Sequence, residues 1–120
     1  MTLHHVSLGC PPDLLAGEAR VWQVLGFVGV EPPEGLADTS LWFQAGETQV
    51  HLVPEPATRR ESGTGHVAVV CPEFDETVEA LAGLGIEVDH RTPYWGSPRA
   101  KMTTPAGHLV ELMAAPPEGS

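Results

Sequence analysis

The sequence predicts an α+β fold made of two βαβββ modules, and three observations predict it. The chain repeats itself at about half its length. Each half opens on a short, β-branched strand that stops at a proline. Each half then passes through a helical stretch into strands whose apolar residues alternate. The 120 residues fit one domain by length, spanning 1–120, with module one over about 1–60 and module two over about 61–115. A chain of this size buries a real core and needs no disulfide or metal to fold.

The repeat has three parts in one order. His5-Val6-Ser7-Leu8-Gly9-Cys10-Pro11 is matched by His66-Val67-Ala68-Val69-Val70-Cys71-Pro72, an offset of 61. Leu25-Gly26-Phe27-Val28 is echoed by Leu84-Gly85-Ile86-Glu87-Val88. Val50-His51-Leu52-Val53 is echoed by Val110-Glu111-Leu112-Met113, an offset of 60. The opening strands, 3–10 and 66–71, end where proline removes a ladder donor. A helix over 73–84 follows from the spacing of Phe74, Val78, Leu81 and Leu84, with Gly85 as its C-terminal stop. The equivalent stretch over 14–25 ends at Gly26. Further strands are expected over 39–44, 49–53, 86–90, 100–103 and 109–113, with Gly46 and Gly107 in the turns before the last strand of each module. A polar link over 54–63, containing Arg59 and Arg60, joins the modules, and the tail over 115–120 is expected to fray.

Composition excludes several functions. Six Lys and Arg stand against sixteen Asp and Glu, for a net charge of -10. Such a surface repels phosphate backbones, so neither nucleic acid nor an anionic membrane is an expected partner. No apolar run reaches the roughly 20 residues of a membrane span. Two cysteines, Cys10 and Cys71, are too few for a disulfide scaffold, and a reducing cytoplasm is the expected compartment. Both fall on the helix-facing side of their strands, as small core residues. Six histidines equal the number of Lys and Arg, which directs attention to imidazole chemistry.

Strand alternation sorts the side chains. Val6, Leu8 and Cys10 oppose His5, Ser7 and Gly9; Val67, Val69 and Cys71 oppose His66, Ala68 and Val70. In the last strands, Val50 and Leu52 oppose His51, and Val110 and Leu112 oppose Glu111. The faces opposite the helices thus carry His5, His51, His66 and Glu111 at equivalent places in the two modules. If the modules curl about a pseudo-twofold axis, these four converge. A carboxylate away from water needs a counter-charge, and buried imidazoles tend to neutrality. A divalent transition metal satisfies both, and this donor set suits Zn, Ni, Co, Mn or Fe(II).

The same residues carry a family resemblance. Leu3-His4-His5-Val6-Ser7-Leu8, Val24-Leu25-Gly26-Phe27, Thr64-Gly65-His66-Val67-Ala68-Val69 and Thr104-Pro105-Ala106-Gly107-His108-Leu109-Val110-Glu111-Leu112 together resemble the vicinal oxygen chelate superfamily. That superfamily groups glyoxalases, bleomycin-resistance proteins and extradiol dioxygenases. The last segment matches the family's D-P-x-G-x-x-x-E ending, with Thr104 in place of the Asp. The resemblance implies a glyoxalase-like fold, its paired modules forming a cupped mixed β-sheet around a metal. It implies His5, His66 and Glu111 as metal ligands, with His4 as the alternative to His5. It leaves His51 two roles, fourth ligand or acid/base catalyst, and gives Glu111 a possible catalytic role as base. Lys101 stands roughly where extradiol enzymes place a tyrosine.

Other residues are weaker candidates. Trp22 suits the core. Trp42 suits either packing or a substrate wall. Tyr94 and Trp95, in a Gly/Pro loop before Arg99, suit a substrate lid, and Arg99 or Lys101 suits an anionic substrate group. His90 and His108 read as turn or surface residues. The expected function is a metal-dependent glyoxalase-like enzyme, of lyase, isomerase or dioxygenase type, chelating vicinal oxygens of a small molecule. The competing expectation is a metal-free binding protein of the bleomycin-resistance kind, which the acidic charge would suit for a cationic drug. A homodimer is expected, with the site either within one chain or shared between two.

Overall fold

A computed structural model describes residues 1–37, 39–56 and 64–119, so most of the link over 54–63, including Arg59 and Arg60, lies outside the described residues. The chain forms two compact units, Met1–Arg59 and Arg60–Ser120.

The first unit holds β1 (His5–Cys10), a single 3-10 turn (Pro12–Leu14), α1 (Leu15–Val24), β2 (Val28–Val30), β3 (Leu41–Ala45) and β4 (Thr48–Pro54). The second holds β5 (Val67–Val70), α2 (Phe74–Gly83), β6 (Asp89–Arg91), β7 (Arg99–Thr103) and β8 (Leu109–Met113). Both sheets have one topology: β1-β4-β3-β2 in the first and β5-β8-β7-β6 in the second. In each, the first strand lies parallel to the last, and the other pairings are antiparallel. The parallel pair requires a crossover, and the helix supplies it.

Both helices end in the same way. Gly26 takes φ 93° and Gly85 takes φ 81°, a conformation that suits glycine. In α1 the Gly26 N–H donates to Gln23 O and the Phe27 N–H to Trp22 O, at 3.0 and 2.9 Å. In α2 the Gly85 N–H donates to Ala82 O and the Ile86 N–H to Leu81 O, at 2.9 and 3.0 Å. These paired reversed bonds form the Schellman arrangement, and in α1 the accompanying apolar contact is Phe27 edge-on to Trp22, 5.5 Å between ring centres.

These caps explain where the strands depart from expectation. Ile86 is consumed by the end of α2, so β6 begins at Asp89 rather than Ile86. Thr39 and Ser40 turn back onto Leu36 O, so β3 begins at Leu41 rather than Thr39. The three-residue β2 fills the place that the βαβββ plan requires after α1, but the pattern gives it no range, β2 being short and holding Gly29 at its centre. The tail is tied down at its start: Trp95 Nε1 donates to Ala115 O at 2.8 Å, and the Ala114 N–H to Pro98 O at 2.9 Å.

Each unit buries the face that its helix covers. Cys10, Val21, Trp22, Phe43, Val50 and Leu52 are buried in the first, and Cys71, Phe74, Leu81, Met102, Val110 and Leu112 in the second. Trp22 is fully buried beside the equally buried Glu18, whose carboxylate accepts from the indole N–H at 3.3 Å. Burial first, then Glu18 and Asp13, push the Cys10 thiol up to about 11; burial alone raises Cys71. No helix among the described residues is long and apolar enough to cross a membrane.

Two outcomes follow. Trp22→Ala should cost about 3–5 kcal/mol in urea unfolding, a large share of a typical domain's stability. Cys10 and Cys71 should resist a thiol reagent at pH 8 in the folded protein and react fully in urea: burial raises both thiols, and for Cys10 a pKa of about 11 cuts the thiolate fraction about 100-fold.

Candidate functional site

Strand register places the candidate residues. In the first unit Ser7 lies opposite His51, and in the second Ala68 lies opposite Glu111. His5 therefore sits diagonally across from His51, and His66 diagonally across from Glu111, within reach on the same face. The two pairs occupy matching positions but make different contacts.

In the first unit three rings stack. Trp42 lies opposite His51 in the β3–β4 register. Its indole stacks on the His51 ring at 3.9 Å and 5°, and His5 stacks on the other side at 4.0 Å and 16°. His4 approaches His5 edge-on, with their Nδ1 atoms 2.9 Å apart. The Gln49 amide donates to Gln44 Oε1 at 3.0 Å, so Gln49 Oε1 faces His51 Nε2 at 2.8 Å. His51 Nε2 must then carry the proton in the neutral ring, leaving the lone pair on Nδ1. Burial first, then the neighbouring His5 and His4, hold the His51 imidazole below its ordinary range.

In the second unit the bonding has the opposite sense. His66 Nδ1 donates to Thr64 O at 2.6 Å, so its neutral form has a lone pair on Nε2. That atom faces Glu111 Oε1 at 3.0 Å. A lone pair facing a carboxylate oxygen is unfavourable unless a positive charge lies between them, either a proton or a metal ion. A carbonyl accepting the far N–H is the usual support of a metal-bound histidine. The separation is also about that of two neighbouring ligands, each roughly 2.1 Å from an ion. The donor set of this unit therefore fits a divalent cation.

Glu111 Oε2 is occupied by Arg99, whose Nη1 donates to it at 3.1 Å. Arg99 also donates from Nε to Thr92 O at 2.9 Å, and its guanidinium lies 5.4 Å from the Tyr94 ring centre and 5.7 Å from that of Trp95. Tyr94 is exposed, Trp95 half-buried. Lys101, the register partner of Glu111, makes no ion pair among the described residues. His90 lies in β6, edge-on to Phe74 at 6.2 Å, and His108 follows the turn after β7, its N–H donating to Thr104 Oγ1.

The structure thus brings His5 to His51 and Trp42, and His66 to Glu111 and Arg99. Among the described residues, neither unit alone gathers three His, Cys, Asp or Glu side chains at metal-binding distance. The Arg99–Glu111 bond and the Gln49–His51 bond were not anticipated from sequence. A signal for the stack was present: Gly46 in a two-residue turn pairs Ala45 with Thr48, and counting back from it sets Trp42 against His51.

Comparison with known proteins agrees with this architecture. The model of the Glyoxalase/Bleomycin resistance protein/Dioxygenase superfamily matches residues 20–112. The chain belongs to that superfamily. Among solved structures it is similar to a glyoxalase family protein from Bacillus anthracis, with 25% identity, a TM-score of 0.78, and 94% of this chain and 93% of that one covered. A glyoxalase/dioxygenase from Nostoc punctiforme is 19% identical with a TM-score of 0.75, covering 96% of this chain and 91% of that one. The fosfomycin resistance protein FosX from Listeria monocytogenes, solved with Mn(II) and a dihydroxypropylphosphonic acid, is 19% identical with a TM-score of 0.71, covering 96% and 90%. No curated protein sequence matches the chain. The fold is the glyoxalase-like α+β fold of these structures.

A pH dependence follows from His51. Its lowered folded-state value means that the unfolded chain takes up the proton first, below about 6.5. Stability should hold above that pH and fall as pH drops through the folded value. Urea midpoints at pH 7.5 and 5.0 measure this, and His51→Phe, which keeps a flat ring on Trp42, should flatten the slope.

Proposed function

We propose that this chain is a metal-dependent, glyoxalase-like enzyme acting on a small molecule with two vicinal oxygens. The observation that carries the reading is the His66–Glu111 pair, whose facing lone pairs need a positive charge between them, a need that a metal ion would meet. His5, His66 and Glu111 are the proposed ligands: two imidazoles and one carboxylate, a set that leaves positions open for substrate. The ion is Zn, Ni, Co, Mn or Fe(II), and when bound it supplies Lewis acidity for negative charge that develops on substrate oxygen. His5 belongs to the first module and His66 and Glu111 to the second, so the proposed set draws on both modules, either of one chain or across a homodimer.

The remaining residues take roles from their contacts. His5 and His51 lie in near-parallel planes, so their in-plane lone pairs do not converge on one point while the rings stay stacked. This supports acid/base work for His51 over a fourth ligand place. Its Nδ1 accepts the proton, Gln49 fixes the tautomer, and Trp42 holds the ring. Glu111 acts as ligand, with Arg99 on its second oxygen. Tyr94, Trp95 and Trp42 are the proposed apolar contacts for substrate. The free, buried thiols of Cys10 and Cys71 support a reducing compartment, the cytoplasm.

One observation favours a second reading, small-molecule binding without a metal. Arg99 already offsets the Glu111 charge, so the carboxylate has a counter-ion of its own. Metal analysis of protein purified without chelators separates the two. The enzyme reading expects a transition metal bound or taken up, and lost in Glu111→Ala. Oxygen uptake on catechols with Fe(II), or turnover of carbonyl substrates with Ni, Co or Zn, then fixes the reaction class. Failure to take up any metal, with a stoichiometric drug complex indifferent to EDTA, overturns it for the second reading.

A further inference from the structure

We propose that Arg99 is the positioning residue of Glu111, holding one carboxylate oxygen so that the other alone is presented beside His66. The inference rests on the metal reading above. Glu111 splits its oxygens: Oε1 meets His66 Nε2 at 3.0 Å, and Oε2 meets Arg99 Nη1 at 3.1 Å. With Oε2 engaged, the carboxylate donates through a single oxygen and cannot turn to chelate through both.

Arg99 is built to hold that place. Its side chain is 13% exposed and that of Glu111 12%, so water competes weakly for the bond. The guanidinium is fixed on its other edge by Thr92 O and flanked by the Tyr94 and Trp95 rings. Trp95 is in turn anchored through its indole N–H to Ala115 O. A chain of contacts therefore runs from the residues after β8, through the loop before β7, to the carboxylate. A planar fork suits this task, because Nη1 and Nε bond two acceptors at once; a lysine ammonium would act as a point charge.

Lys101 supplies the internal comparison. It carries the same charge, lies on the same strand, and is the register partner of Glu111, yet makes no ion pair with it. A general effect of positive charge would be shared by both residues; a positioning effect belongs to Arg99 alone.

Co(II) titration of the intact protein, followed by visible absorption and calorimetry, tests this. Wild type should bind Co(II), Arg99→Gln should bind about 10–100-fold more weakly with an altered absorption spectrum, and Lys101→Gln should stay within about twofold of wild type. Arg99→Lys, the milder change should Arg99→Gln fail to fold, should recover only part of the affinity. Wild-type affinity and spectrum in the Arg99 variants overturn the proposal, as does an equal loss in Lys101→Gln. Absence of Co(II) binding by wild type overturns the metal reading itself and this inference with it.

Discussion

In each module the first strand runs parallel to the last, and that pairing decides which polar side chains meet. Setting Ser7 against His51 brings His5 diagonally onto the His51 ring; setting Ala68 against Glu111 brings His66 onto the carboxylate. A slip of one residue between either pair of strands would turn one partner to the opposite face and part the two side chains. The capped helices, with glycine at positive φ after α1 and α2, determine where the crossover ends and so help to fix the register.

The modules use the same backbone plan for different electrostatics. In the first, His51 is wedged between Trp42 and His5, and its outward N–H is committed to Gln49. Such a ring keeps its neutral, proton-accepting form to lower pH than an ordinary imidazole. In the second, His66 and Glu111 face each other through atoms that both carry lone pairs, and the pair is stable only around a positive charge. The copies differ not only in histidine against glutamate but in what lies opposite: Trp42 faces His51, whereas Lys101 faces Glu111.

Much of this was legible in the sequence. The repeat set the module plan, and alternation set His5, His51, His66 and Glu111 at matching places, where register and contacts bring His5 to His51 and His66 to Glu111; burial does not mark them out, since His51 and Glu111 are buried like their neighbours in β4 and β8. Boundaries were harder, because Ile86 and Thr39 look like strand residues while their hydrogen bonds serve a helix cap and a turn. The Arg99–Glu111 bond was out of reach for a different reason. Lys101 stands directly opposite Glu111 and Arg99 two residues away, so the pattern alone favours the wrong cation. The choice is made by Thr92, Tyr94 and Trp95, which lie in an irregular loop whose path has no periodicity to read.

The three tryptophans are distributed in a useful way. Trp22 is the fully buried ring of α1, Trp42 lies flat on His51, and Trp95 flanks the guanidinium that holds Glu111. Indole emission responds to polarity and is quenched by a nearby imidazolium. The molecule therefore carries one native optical reporter for its interior, one on His51 and one on the guanidinium that holds Glu111, and single-tryptophan variants would tell changes in the two halves apart without attaching a dye.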